Sequence, residues 1–229
     1  MEKKKLIAAG LALVLSGTMN VWAQDRKIDS SYNNTYYQGR MELFESLPVI
    51  RGAIVFLGNS ITERGMWHEL LPGKKIMNRG IGGDNSFGVL ARLQAIIDAK
   101  PSSIFLMIGI NDLGRGLPVD VISSNYRRII ARVRAGSPKT KLFLQSVLPM
   151  NESLLKADYL KNKMHLVREL NDSIRAIAAE HNLPYIDLHN DVFKDNEGNL
   201  KAEYTVDGIH IIPAAYAAWV DYLKKKKYL

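Results

Sequence analysis

Five apolar runs of strand length, residues 53–57, 75–78, 103–108, 141–147 and 184–187, are each bounded by glycine, proline or small polar residues. Between and after them lie helical patterns at residues 87–99, 119–135 and 159–181, and Pro213 opens a last one through Ala217, Val220 and Leu223. In the longest, Leu166, Leu170, Ile174 and Ile177 recur every three or four residues, so one face is apolar. Strands that alternate with helices return to one sheet by right-handed crossovers, which makes the strands parallel and covers both faces. The pattern therefore predicts an α/β protein: a three-layer α/β/α sandwich with a central parallel sheet, flavodoxin-like in kind.

Open sheets of this type bind ligands beyond the carboxyl ends of their strands. Three polar clusters fall at that position, Gly58-Asn59-Ser60-Ile61-Thr62, Asn78 to Asp84, and Gly109-Ile110-Asn111-Asp112, and a fourth, Asp207-Gly208-Ile209-His210, lies just before Pro213. A serine hydroxyl becomes a nucleophile when a neighbouring base removes its proton, and a histidine held by a carboxylate is the usual base near neutral pH. Ser60 follows a strand at the start of a helix, where the helix end favours developing negative charge. Asp207 and His210 are three apart in a turn, close enough for the carboxylate to fix the imidazole tautomer. Acyl transfer also requires donors aimed at an oxyanion, and the candidates are the backbone N–H groups of Ser60 and Gly83 with the side-chain amide of Asn111.

Each residue has a plainer reading. Ser60 serves equally as a helix N-cap, Asp207-Gly208 as a turn, His210 and Asn111 as caps, and the glycines as tight-turn geometry. His189 competes with His210 for the role of base because it too follows a strand; His68, His165 and His181 fall in helical stretches and read as surface or packing residues. Residues 78–84 fail as a dinucleotide loop because Asn85 stands where the third glycine belongs, and no Gly-Lys-Ser/Thr ending marks a phosphate loop. Thr62 likewise excludes the Gly-x-Ser-x-Gly elbow. Asp187, His189 and Asp191 would make at most a weak metal site, and the acidic stretch from Asp195 lacks calcium-loop spacing, so no metal and no cofactor is expected.

Taken together the four ordered clusters resemble the motifs of the SGNH hydrolases, also called GDSL-type lipases and esterases, over nearly all of residues 53–212. The resemblance implies that Ser60 is the nucleophile, that Gly83, by its place before Asp84, donates to the oxyanion hole with Ser60 and Asn111, and that Asp207 and His210 complete the catalytic set. Asn59 departs from the aspartate of the family's Gly-Asp-Ser-Leu signature; it keeps that side chain's size and hydrogen-bonding ability without its charge. Small secreted members of the family include carbohydrate acetylesterases and sialate O-acetylesterase-like proteins. Platelet-activating-factor acetylhydrolase-like enzymes and lysophospholipases form the nearest rival branch.

The resemblance thus implies an esterase, and the absence of an apolar insertion between the motifs favours short acyl groups, acetyl on a carbohydrate first. A non-catalytic carbohydrate-binding protein on the same fold is the alternative of a different class, with Tyr36, Tyr37 and Trp67 as stacking platforms.

The chain begins with Lys3, Lys4 and Lys5, an apolar stretch at residues 6–15 and the small-residue end Val21-Trp22-Ala23, the pattern of a signal peptide over residues 1–23 cleaved before Gln24. Export to the periplasm or exterior is the expectation, with no stable membrane insertion after cleavage. Removing those 23 of 229 residues leaves 206, enough for one core, read as an arm and helix at residues 24–50 and a main domain at residues 51–229. Export without a single cysteine leaves the fold to packing alone. The net charge of +8 is concentrated in part at Lys224 to Lys227 and shows no basic stripe interleaved with aromatics, so nucleic acid is not an expected partner.

Overall fold

A computed structural model describes residues 28–229. The expected signal segment and its cleavage site therefore lie outside the described residues. After an extended stretch, Asn34 caps helix α1 (Thr35–Ser46) by accepting the Tyr37 N–H at 3.0 Å. Then follow β1 (Ile54–Gly58), α2 (Ser60–Glu63), α3 (Trp67–Leu70), β2 (Ile76–Gly80), α4 (Ser86–Asp98), β3 (Ser103–Met107) and α5 (Ile110–Gly114). The chain continues through α6 (Val119–Gly136), β4 (Lys141–Gln145), α7 (Met164–Glu180), β5 (Tyr185–Ile186) and α8 (Pro213–Lys225).

The five strands form one all-parallel sheet in the order β2-β1-β3-β4-β5. Chain direction across the sheet reverses between β1 and β3, which opens a crevice at their carboxyl ends. The register places Phe56, Phe105 and Phe143 side by side on β1, β3 and β4. Their rings stack at 5.2 and 4.6 Å, and Trp67 lies on Phe56 at 3.8 Å. Trp219 of α8 meets Trp67 edge-on, closing this face, while the alternate residues Val55, Leu57, Ile104 and Leu106 are buried on the other. Alternation of side chains across a strand gives both faces their apolar cover.

Several boundaries differ from the sequence pattern. The helix read over residues 159–181 begins at Met164, because Asn162 adopts a left-handed φ of 60° that no α-helix continues through. The segment before it is a 3₁₀ turn at Asp158–Leu160. The last strand shrinks to two residues and is followed by a π-helical turn, His189–Phe193. No helix among the described residues is long and apolar enough to cross a membrane.

Candidate active site

Ser60, Gly83, Asn111 and His210 line a single cleft of about 590 Å³ at the crevice. Asn59 caps α2: its Oδ1 accepts the Ile61 N–H at 3.0 Å, and its side chain is buried. The N-cap reading of Ser60 is thereby corrected. Because the asparagine performs the capping, the serine occupies the first helical position with its hydroxyl uncommitted to the backbone. A neutral amide suffices for this hydrogen bond, so the departure from aspartate at Asn59 leaves the geometry of the turn intact.

The Ser60 hydroxyl lies 2.9 Å from His210 Nε2, and His210 Nδ1 lies 2.6 Å from Asp207 Oδ2. A carboxylate accepts only from a protonated nitrogen, so Nδ1 carries the hydrogen and Nε2 is free to accept from the serine. Asp207 also forms the turn itself, since its Oδ1 accepts the N–H groups of Ile209 and His210 at 3.0 and 2.8 Å. Burial would raise the Asp207 pKa, but the bonds from the His210 ring and backbone and from Ile209 outweigh it and hold the carboxyl below its ordinary value. One side chain thus makes both the turn bonds and the bond to the His210 ring. Gly208 permits this, with a φ of 84° and a position where a Cβ would lie 2.6 Å from the Asn151 carbonyl.

The three oxyanion candidates converge on the same cleft. Neither the Ser60 nor the Gly83 backbone N–H has a protein partner among the described residues. Gly83 holds a φ of 74°, within the region that favours glycine. Asn111 Nδ2 donates to the Asp84 carbonyl at 2.8 Å, which fixes the amide while leaving its second hydrogen for the cleft. Unpaired N–H groups beside a nucleophile are the donors that a tetrahedral oxyanion requires.

Behind this site are polar groups that the sequence reading assigned no part. Asp112 is fully buried and accepts from Ser86, at 3.0 and 3.1 Å from the backbone N–H and at 2.5 Å from Oγ. These bonds tie the segment bearing Asn111 to the start of α4. Burial pushes Asp112 up to about 6, against the Ser86 bonds and with help from the charge of Asp84. A carboxyl raised above its unfolded value binds more protons when folded, so its contribution to stability is present in acid and is lost as pH rises through the folded value. We expect Asp112→Asn to flatten the stability profile between about pH 4 and pH 6 relative to the parent. Urea unfolding at several pH values measures this, and an unchanged profile would contradict the assignment.

The rival base is placed elsewhere. His189 is buried, with Nδ1 near the Val147 carbonyl at 3.2 Å and Asn171 Nδ2 at 3.3 Å, and it does not line the cleft. Burial keeps its pKa below the ordinary value. Asp187 is engaged by Arg175 and Asn190, and Asp191 accepts from Tyr222. No group of three His, Cys, Asp or Glu placed to hold a metal occurs among the described residues. Of the three aromatics considered as sugar platforms, Trp67 and Tyr37 are buried in packing, and Tyr36 alone stands exposed at the cleft.

A family model described as GDSL-like lipase/acylhydrolase matches residues 56–218. Among solved structures, a Streptococcus pneumonia protein described provisionally as a platelet activating factor superposes with a TM-score of 0.75 at 31% identity, covering 83% of this chain and 90% of that one. The human platelet-activating factor acetylhydrolase IB subunit alpha1 is 23% identical over 169 residues, 71% of this chain and 70% of its own length. An N-acylneuraminate cytidylyltransferase from Streptococcus agalactiae serotype V is 25% identical over 154 residues, 64% of this chain. Only 35% of that protein's length is spanned by the match.

Proposed function

The chain belongs to the GDSL-like lipase/acylhydrolase family, and from that premise we propose that it is a carboxylic ester hydrolase that removes short acyl groups, acetyl foremost, from a carbohydrate. One observation carries the catalytic part: the unbroken line from Asp207 through His210 to the Ser60 hydroxyl, with bonds of 2.6 and 2.9 Å.

His210 Nε2 takes the serine proton as Ser60 Oγ attacks the ester carbonyl. The carbonyl oxygen becomes an oxyanion beside the N–H groups of Ser60 and Gly83 and the Asn111 amide. As the intermediate collapses, the imidazolium returns the proton to the leaving alkoxide, and an acyl-serine remains. A water activated by the same histidine then adds to the acyl carbon, and collapse frees the acid and restores the serine. Asp207 steadies the imidazolium in both halves.

The polarity of the cleft supports a hydroxyl-rich alcohol. Tyr36, Arg40, Glu63, Arg64, Asn111 and Tyr159 bring donors and acceptors to it, against the apolar Ile110, Leu160 and Ile209. Relatedness to part of a protein named for N-acylneuraminate, a sugar acid, is consistent with a glycan substrate. A second reading is hydrolysis of an acetylated phospholipid, favoured by the similarity to a platelet-activating factor acetylhydrolase subunit.

Both readings expect acetyl, so the alcohol must be tested. An acetate-release assay over acetylated sugars and an acetyl phospholipid, with Ser60→Ala as blank, is expected to favour the sugars by about tenfold or more in kcat/KM, a difference of about 1.4 kcal/mol. A preference for the phospholipid would overturn the carbohydrate assignment. A medium or long optimum in a chain-length series of nitrophenyl esters would overturn both.

A further inference from the structure

Glu63 closes α2 three residues after Ser60, and its carboxylate is occupied on both oxygens. Oε2 accepts the Gly82 N–H, and Oε1 accepts the Tyr36 hydroxyl at 2.6 Å. Arg40 Nε lies 3.2 Å from Oε1, off the hydrogen-bonding line, as a charge contact between side chains that are 22% and 14% exposed. Arg40 also reaches the Gly80 carbonyl at 3.4 Å, and the Glu63 carbonyl accepts from Asn78 Nδ2 at 2.9 Å. One residue thus joins the helix that starts with the nucleophile, the turn after β2 and the N-terminal helix α1.

The turn is held at few other points. The Ile81 N–H donates to Gly58 at 3.1 Å, and the Asp84 N–H closes back on Ile81 at 3.2 Å. Between them the Gly82-Gly83 backbone has the Glu63 carboxylate as its anchor, one residue from the N–H assigned to the oxyanion. Misplacing a catalytic group by about 1 Å costs on the order of a hundredfold in rate, so an anchor adjacent to an oxyanion donor acts on the transition state more than on substrate binding.

We propose that Glu63 is a positioning residue for ester hydrolysis, holding the Gly82-Gly83 turn in register with the oxyanion and making α1, through Tyr36 and Arg40, part of the active-site framework. The proposal rests on the assignment of Ser60 and Gly83 made above. A carboxylate suits the position because two donors, a backbone N–H and a phenol, converge on it beside the positive charge of Arg40. Glutamine would turn an NH₂ group toward one or more of them and release at least one partner.

The test compares Glu63→Gln and Tyr36→Phe with the parent on a short-chain nitrophenyl ester. Binding of an alkylboronic acid, which adds to the serine as a tetrahedral anion, and thermal melting are measured alongside. Glu63→Gln is expected to lower kcat by about tenfold or more with KM within about twofold, and to weaken boronate binding by a similar factor. Tyr36→Phe is expected to act in the same direction by about two- to fivefold, since it removes one of the three partners. A role in folding alone would lower the melting temperature while the folded protein kept its kcat and boronate affinity.

Unchanged kcat in Glu63→Gln overturns the proposal, whatever its melting temperature. Should that variant fail to fold, unchanged kcat in folded Tyr36→Phe overturns it. If Ser60→Ala retains activity, the underlying site assignment fails instead, and the two failures are thereby distinguished.

Discussion

Ser60→Ala is expected to lower kcat/KM on a short-chain nitrophenyl ester by about 10⁴-fold or more, and His210→Ala by a comparable factor. The physical reason is that in the proposed mechanism the two side chains perform one step. The hydroxyl is a competent nucleophile only while His210 Nε2, 2.9 Å away, can accept its proton. Removing either member therefore removes the same event, and the double variant should be little worse than either single one. Residual rate over uncatalysed hydrolysis would come from the oxyanion donors and from binding. Both side chains are only partly buried at the cleft, so the variants should fold, with melting temperatures close to the parent's. Single-turnover and steady-state assays with purified variants check this. Full activity in either would sink the assignment, and strictly multiplicative effects would show that the two groups act separately.

The largest effect on stability is expected at Arg92. Its side chain is 2% exposed and pairs with the Asp84 carboxylate, itself 0% exposed, at 2.8 Å from Nη2 and 3.0 Å from Nε. The same guanidinium donates to the Arg79 carbonyl at 2.8 Å and to the Gly58 carbonyl at 3.0 Å, fastening the carboxyl ends of β1 and β2 beside the oxyanion turn. Arg92→Leu would leave a buried carboxylate without its counter-ion and remove the side-chain bonds to the Arg79 and Gly58 carbonyls. A loss of about 3–5 kcal/mol follows from breaking one side of a buried pair, and for a chain of this size it lowers the melting temperature by roughly 10 °C.

The pH dependence gives this prediction a second signature. Burial already pushes the Asp84 pKa up, against the attraction of Arg92. Without Arg92 the folded value rises further, so the penalty applies where the carboxyl would be ionised and shrinks in acid, where it is protonated in both states. Denaturant unfolding should therefore show a large deficit at neutral pH and a smaller one near pH 4. A deficit independent of pH would mean that the lost packing of the arginine stem, and not its charge, is responsible. Removing both partners, as Asp84→Asn with Arg92→Leu, is expected to recover part of the loss because no unpaired charge remains.

The alternation of strands and helices was legible because side-chain periodicity is a local property. Residues 103–108 and 141–147 announced β3 and β4 by their composition, and the α6 pattern matched its helix to within a residue. The boundaries that moved are set by single backbone conformations, such as the left-handed Asn162 that delays α7. Asp84, Arg92 and Asp112 gave no signal, since a buried ion pair and a surface one look alike in a string of letters. Glu63 was equally silent, because its partners Tyr36 and Arg40 lie more than twenty positions away.

By itself the sequence determined the alternating architecture and the chemical inventory of the site, because strand and helix periods and the placement of Ser60, Gly83, Asn111, Asp207 and His210 after apolar runs or in a turn are written over short stretches. Only the tertiary structure placed His210, and not His189, beside Ser60. The strand order β2-β1-β3-β4-β5 brings the turn before α8 over the end of β1, so that His210 meets a serine 150 positions earlier, while the π-helical turn after β5 buries His189 against Asn171 and Val147. Contacts across such separations depend on how the sheet is ordered and covered, and no local pattern carries that information.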